Sequence, residues 1–340
     1  MMSLILKNDE SLKKWQRFKK RKLAVVSCWV LLIACFLSFT AEFWANSKPI
    51  FLRYNNEWHF PVFSDYHPSQ FGQEETMVTD YKNLELDKAR GDFMIMPVIQ
   101  WDPYESNAKV EYYPSAPTGD NWFGTDDRGR DILVRLLYGL RYSIIYAIFV
   151  WVITFIIGTL LGGVMGFLGG RVDFWGQRIV EVLSTVPQFF LLIIIISIFK
   201  PTLWLLVVIS SVFGWISISY YVRGEFLKNR KKEFVEAARA IGAGRIRIFL
   251  KHLLPNSLSP IITFSPFVIA SNIVGLAGLD YLGFGLTPPI PSWGELLNQA
   301  QKHFMEGWWL AVYPSLALFF TLTMLSLIGE GVRDAMDPKE

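Results

Sequence analysis

The stretch Lys19-Lys20-Arg21-Lys22-Leu23-Ala24-Val25-Val26-Ser27-Cys28-Trp29-Val30-Leu31-Leu32-Ile33-Ala34-Cys35-Phe36-Leu37-Ser38-Phe39-Thr40-Ala41-Glu42-Phe43-Trp44 sets a row of cations against a long apolar run. A helix needs roughly 20 residues to cross a hydrocarbon core of about 30 Å. A cleaved secretion signal carries an apolar region of only about 7–15 residues. The run is too long for a signal and long enough for a span. Residues 23–44 therefore read as an uncleaved first transmembrane helix behind a basic tail, 1–22. Comparable runs recur near 143–168, 176–199, 202–222, 258–279 and 308–329. Of the 340 residues, 52% are hydrophobic and 19% charged, against about a quarter charged in an ordinary soluble domain. The expected fold class is an all-α membrane protein of six transmembrane helices, with a small α/β or loop-rich insertion between the first and second.

The third run is the least regular, with Arg178 and Glu181 near its start and Pro187 inside it. The two charges lie three apart on one helical face and partly neutralise each other. Membrane helices accept a proline when neighbouring groups take up the freed carbonyl. Lys and Arg gather in the N-terminal tail (Lys7, Lys13, Lys14, Arg17 and residues 19–22) and in the segment 223–257, which carries Arg223, Lys228, Arg230, Lys231, Lys232, Arg239, Arg245, Arg247 and Lys251. The positive-inside bias puts both in the cytoplasm. Six crossings return the C-terminus there and leave 45–142 outside, where Asp and Glu outnumber Lys and Arg. Within this insertion Phe51 to Phe60 alternates about Asn55-Asn56, a hairpin signature. The remainder is rich in Pro, Tyr and Asp and predicts loops. Cys28 and Cys35 lie in the first run and are expected to pack as small apolar side chains, not as a disulfide or zinc site.

The segment 223–257 holds the clearest functional pattern. Phe234, Ala237, Ala238 and Ile241 recur at i, i+3, i+4 and i+7, one apolar helical stripe, with Glu233, Glu236 and Arg239 on the polar side. Gly242-Ala243-Gly244 interrupts the helix. A second stripe, Ile246, Phe249, Leu250 and Leu253, runs up to Pro255, which is expected to stop it. Two short amphipathic helices outside the bilayer suit insertion into a groove of another protein. Amphipathicity alone fits equally well a helix pair packed on its own bundle.

The residue identities favour the first reading. Glu236-Ala237-Ala238, then Gly242, then His252-Leu253-Leu254-Pro255-Asn256 resembles the EAA loop of ABC importer permeases. In that family the loop docks a coupling helix into a cleft on the cytoplasmic ATPase. The resemblance thus implies Phe234, Glu236, Ala237, Ala238, Ile241, Gly242, His252 and Pro255 as ATPase-coupling residues. His252 stands where the common pattern has an apolar residue, as it does in the oligopeptide branch, and carries no assigned chemistry. The resemblance spans roughly 121–338, through Gly124-Thr125-Asp126, Gly129-Arg130-Asp131 and Arg135 before the second helix. It continues in Ser292-Trp293-Gly294, Trp308-Trp309-Leu310 with Pro314, and Arg333-Asp334 with Asp337-Pro338, which look like the branch that carries di- and oligopeptides. Glu181 and Glu330 stand where relatives often have Asp. In the insertion, Lys48-Pro49, Arg53-Tyr54 and Trp58-His59-Phe60-Pro61 resemble the Yej-type (microcin C type) peptide permeases.

Gly158, Gly162, Gly166 and Gly170 form small-xxx-small spacings in the second span, a packing seam toward this chain's own bundle or toward a partner permease. Asp126, Asp127 and Asp131 do not follow a calcium-loop spacing, and hard cations want six or more oxygens. Helix capping and pairing with Arg128, Arg130 or Arg135 is the expectation. Trp308, Trp309 and Tyr313 fit an interfacial aromatic belt, and Trp293 a membrane anchor or the mouth of a substrate path.

The net charge of +3 supplies no global basic field for nucleic acid. No phosphate-binding G-x-x-x-x-G-K-[ST] loop is present, and the four histidines define no catalytic or metal set. The expectation is a non-enzymatic permease subunit without a cofactor of its own. The resemblance implies a second permease, an ATPase that binds ATP and Mg, a periplasmic substrate-binding protein, and a place in the inner membrane of a bacterium. Peptides are the expected cargo; nickel, glutathione and haem importers share the branch's motifs. A stand-alone channel or secondary transporter would more typically show functional charges at mid-membrane, and an intramembrane enzyme would need a catalytic set.

Overall fold

The computed structural model describes residues 9–73 and 77–336; Lys7 of the tail and Asp337-Pro338 of the C-terminal motif lie outside the described residues. In chain order the helices are α1 Asp9–Lys20, α2 Lys22–Phe39, α3 Ala41–Trp44, α4 Ile132–Leu168, α5 Gly170–Thr185, α6 Gln188–Ile198, α7 Leu203–Asn229, α8 Glu233–Ala240, α9 Arg245–Arg247, α10 Leu254–Tyr281, α11 Trp293–Lys302 and α12 Trp308–Met336. Three short strands, β1 Phe51–Tyr54, β2 Glu57–His59 and β3 Phe93–Ile95, lie between α3 and α4. The chain divides into two compact units, one of 1–31, 143–287 and 318–340, the other of 32–142 and 288–317.

Helices α2, α4, α7, α10 and α12 are long and apolar enough to cross a membrane. The pair α5 and α6 makes a sixth span if it crosses as one, bent by 68°. The expected span at 176–199, with Pro187 inside it, is therefore two helices. Pro187 has no N–H to continue the ladder, and Val186 closes α5 by donating its N–H to Leu183 O, three residues back, at 3.3 Å. Arg178 and Glu181 do pair, at 2.7 Å.

α4 starts well before the expected 143. Its 37 residues extend about 55 Å at 1.5 Å each, far beyond a hydrocarbon core. The early start is possible because the arginines in its first turns are paired. Arg141 grips Glu42 through both guanidinium nitrogens at 2.7 and 2.9 Å and also bonds Ser38 O. That same grip turns the chain at Thr40, so the first span ends at Phe39 and Ala41–Trp44 forms a separate turn of helix.

In the helical unit the glycines of α4 bring α7 against it. A Cβ added at Gly158 would lie 2.7 Å from Ile218 Cβ, and one at Gly166 would lie 2.7 Å from Arg223 O. At Gly162 it would run into the Ser219 backbone. The seam thus serves this chain's own bundle. Gly170 is not part of it: it begins α5, and nothing lies within 4 Å of its Cβ position.

In the other unit the strands form a sheet of order β2-β1-β3, all antiparallel, with Leu52 opposite His59 and Met94. The expected hairpin turn is present, with Asn55 and Asn56 at φ of 49° and 68°, the left-handed pair that a two-residue turn needs. Leu52 is fully buried against Phe71, Tyr81 and Leu84. Among the described residues, the rest of 45–131 is loops and short 3-10 turns.

Candidate functional site

The segment expected to carry coupling lies in the helical unit. α8 begins with Glu233 and Glu236 in its first turn, where negative charge meets the exposed N–H groups of the helix start. Val235 and Ala238 are buried, and they join Val222, Phe226, Ile248 and Leu253 in one apolar core. Phe234 is half-buried against that core. The expected stripe of Phe234, Ala237, Ala238 and Ile241 is thus split by the fold. Phe234 and Ala238 turn inward with Val235, which the periodicity argument passed over, while Ala237 and Ile241 are exposed.

Gly242 sits at φ +83° and ends α8, with its N–H on Arg239 O at 2.9 Å. After it, α9 does not stop at Pro255. A π-helical stretch, Ile248–Leu253, carries α9 straight into α10, and Pro255 occupies the first turn of α10. The expected stop is corrected here. A proline lacks the donor for an ordinary helical bond and crowds the carbonyl four residues back. The wider ladder before it, closed by Leu254 N on Phe249 O, lets the helix continue past it. His252 is half-buried, and its carbonyl accepts from Asn256 Nδ2 at 2.7 Å.

The outcome is a helical hairpin with one side packed at home and one side bare. Phe249 packs on Phe226 and Phe167 at 5.1 and 5.6 Å between ring centres. Its base is fixed by Asn229 Nδ2 on Ser257 Oγ at 3.0 Å and by Arg230 on Gly166 O at 3.1 Å. On the free side Ile241 is 85% exposed, Ile246 76% and Leu250 50%, and Glu236 is exposed beside them. Outside a bilayer, several large apolar side chains left uncovered are costly, which makes this face a candidate contact surface.

The motif 124–135 builds a second polar centre, in the other unit. Asp126 accepts the backbone N–H groups of Arg128 and Arg130, both at 2.9 Å, and Arg130 Nε at 2.7 Å. Arg135, wholly buried, bonds Glu295, approaches Asp126 Oδ2 at 3.4 Å, and donates to Pro103 O at 2.9 Å. Arg130 also reaches Glu295 at 3.1 Å. Asp131 caps the start of α4 by accepting Val134 N at 2.9 Å. The aspartates therefore cap and pair as expected, and among the described residues no three metal-ligating side chains converge. Glu295, the anion that closes the cluster, was not singled out in the sequence, because it lies 160 residues from Arg135. Burial raises the Asp127 carboxyl above its ordinary range, and neighbouring Asp126 adds to this. Burial likewise raises Asp131, against the hydrogen bond from Asn121.

Two aromatic expectations are corrected in the same unit. Trp293 is neither a membrane anchor nor a path mouth: it is buried, gives Nε1–H to Leu136 O at 2.9 Å, and fits against Gly139. Trp309 is buried too, donating to Thr125 O at 3.1 Å, and Tyr313 stacks on Phe123 at 4.1 Å. Trp308 stays exposed.

Residues 158–340 match the family model described as "binding-protein-dependent transport system inner membrane component". The chain belongs to this family of ABC importer permeases. Residues 13–70 match the N-terminal transmembrane domain of oligopeptide transport permease C. The permease is 38% identical over 330 residues to the inner membrane ABC transporter permease protein YejE of Escherichia coli K12, covering 96% of each chain. It is 34% identical to the peptidoglycan transport system permease protein YejE of Agrobacterium fabrum, over 96% of this chain and 93% of that one. It is 36% identical to the oligopeptide transport system permease protein OppC of Haemophilus influenzae, over 66% and 73% of the two. As a permease of this family it is a multi-pass inner-membrane subunit without catalysis of its own, working with an ATPase and a substrate-binding protein.

Proposed function

We propose that this permease is one of two that form the pathway of an ATP-driven importer carrying peptides across the bacterial inner membrane, and that it couples to the ATPase through residues 233–250. The observation that carries the coupling is the bare face of Ile241, Ile246 and Leu250, set beside Glu236 at the Gly242 break. Burying an isoleucine side chain is worth about 1.5–3 kcal/mol, so a fitting cleft on a partner gains affinity from each. The home side, anchored through Val235, Ala238 and Phe249, would transmit the partner's movement to α7 and α10. ATP and Mg would be bound by the ATPase, whose closure would bias the bundle between inward-open and outward-open states.

The peptide cargo is supported by relatives named for oligopeptide and peptidoglycan transport and by the Yej-type signature in the insertion, which adds peptides like microcin C. A second reading keeps the importer and makes glutathione its cargo; a glutathione transport system permease of Escherichia coli is 36% identical over 70% of this chain. The charge bias puts both termini and 223–257 in the cytoplasm and 45–142 in the periplasm.

The test is the complete importer in proteoliposomes, with uptake and ATP hydrolysis measured together. Replacing Gly242 by valine forces a branched side chain into left-handed backbone, at about 1–2 kcal/mol, and should distort the coupling turn. Gly242→Val and Glu236→Lys are expected to leave ATP hydrolysis while uptake falls. Wild-type coupling in both variants would remove this segment from the mechanism.

A further inference from the structure

Two cavities of about 370 and 400 Å³ open on the helical unit and share Gly214, Val268, Ser271 and Asn272 as a common wall. On α7 the lining residues Ser210, Gly214, Ser217 and Tyr221 fall at i, i+4, i+7 and i+11. On α10 Phe264, Val268, Ser271 and Gly275 repeat the same spacing, so each helix contributes one continuous face. None of the lining residues is charged.

The polar groups on this wall divide into two sets. Tyr146 and Ser210 satisfy each other at 2.7 Å, and Asn272 gives one hydrogen to Ala147 O at 3.1 Å. Gln188, Ser217 and Ser271 are exposed and have no side-chain hydrogen-bond partner among the described residues. Partnerless polar groups are costly against hydrocarbon. Gln188 also follows the 68° break between α5 and α6, and irregular backbone at membrane depth is tolerated where it is covered by protein or lines a wet cavity. The wall is thus unsuited to lipid on two independent grounds.

We propose that this uncharged face is the part of the translocation path that the peptide touches. Ser217, Ser271, Asn272 and Gln188 meet its main-chain N–H and C=O groups, while Trp151 and Phe264 receive apolar side chains. The inference rests on the peptide-importer reading above. Main-chain amides are common to all peptides, and neutral hydroxyl and amide partners hold them without selecting charge. A wall of this kind passes varied sequences and binds none of them tightly.

Gly275 supplies the test. It faces the 400 Å³ cavity, nothing lies within 4 Å of its Cβ position, and replacing a glycine inside a helix does not lower helix propensity. A tryptophan there has space for its Cβ and directs its ring toward the cavity. Gly214 offers no such test, since its added Cβ would sit 2.6 Å from Thr154 Cγ2. The experiment uses the whole importer in proteoliposomes, with both permeases, ATPase and binding protein, and reads tri-alanine uptake and ATP hydrolysis. In parallel, Ser271→Cys in a Cys28→Ala, Cys35→Ala background is treated with a water-soluble thiol reagent, with and without ATP and tri-alanine.

Gly275→Trp is expected to lower uptake at least about tenfold with ATP hydrolysis retained. The thiol at 271 is expected to react, and to react more slowly during transport. Unchanged uptake in Gly275→Trp, or an unreactive thiol, would overturn the path wall while leaving the importer reading intact. Should the tryptophan variant fail to assemble, the thiol arm decides alone. A wild-type importer that moves no peptide would overturn the cargo reading and this inference with it.

Discussion

Arg135 is the largest fully buried side chain described in the protein, and its charge is matched by two carboxylates, Asp126 and Glu295. Removing one partner of a buried pair leaves an uncompensated charge, typically at about 3–5 kcal/mol. Glu295→Ala should therefore unfold at markedly lower temperature in detergent, and replacing both Arg135 and Glu295 by leucine should recover part of the loss; a thermal series of the three proteins checks this. Asp127 behaves oppositely. Its carboxyl is raised by burial and by Asp126, and Oδ1 has no hydrogen-bond partner. A raised acid means the folded state holds the proton more tightly than the unfolded one. Its contribution is most favourable below the ordinary carboxylate value of 3.8 and declines as pH rises through the folded value. Asp127→Asn is expected to stabilise the protein at neutral pH, with the gain vanishing on acidification; an unchanged or destabilised variant at neutral pH would contradict the sign. The capping role of these aspartates was legible from their spacing to nearby arginines. Glu295 was not, because only the fold brings it beside them.

At the scale of elements, period and composition located most of the spans and the glycine seam, since both depend on residues within a few turns of each other. Three things were hidden. The start of α4 was masked by Arg135 and Arg141, whose neutralising partners come from distant segments. The continuity of α9 into α10 was masked by Pro255, because a proline reads as a stop unless the π-helical ladder before it is seen. The split of the α8 stripe was masked because the side that packs is chosen by α7 and α10, and Val235 wins a place that Ile241 does not. The seam itself predicts a graded result. Gly162→Leu must push into the Ser219 backbone and Gly166→Leu into Arg223 O, at about 1–3 kcal/mol of overpacking or more. Gly224→Leu, with nothing within 4 Å of its Cβ position, should leave folding intact. Thermal unfolding of the three variants in detergent would show it, and equal tolerance of all three would mean that α4 and α7 are not in this contact.

At the scale of the whole molecule, the permease proposed above is driven by a partner ATPase, and the cavity walls of its candidate path carry no charged residue among those described. The hairpin at 233–250 shows a bare apolar face that nothing within the described chain covers. Such a subunit should have little function alone. The most direct measurement is affinity purification of the tagged full-length chain from bacterial membranes in mild detergent, with mass spectrometry of the co-purifying proteins. Recovery of a second permease together with an ABC ATPase, and loss of the ATPase when Ile241 and Ile246 are both changed to aspartate, is the predicted result. Recovery of the chain by itself, transporting in liposomes without ATP, would contradict it.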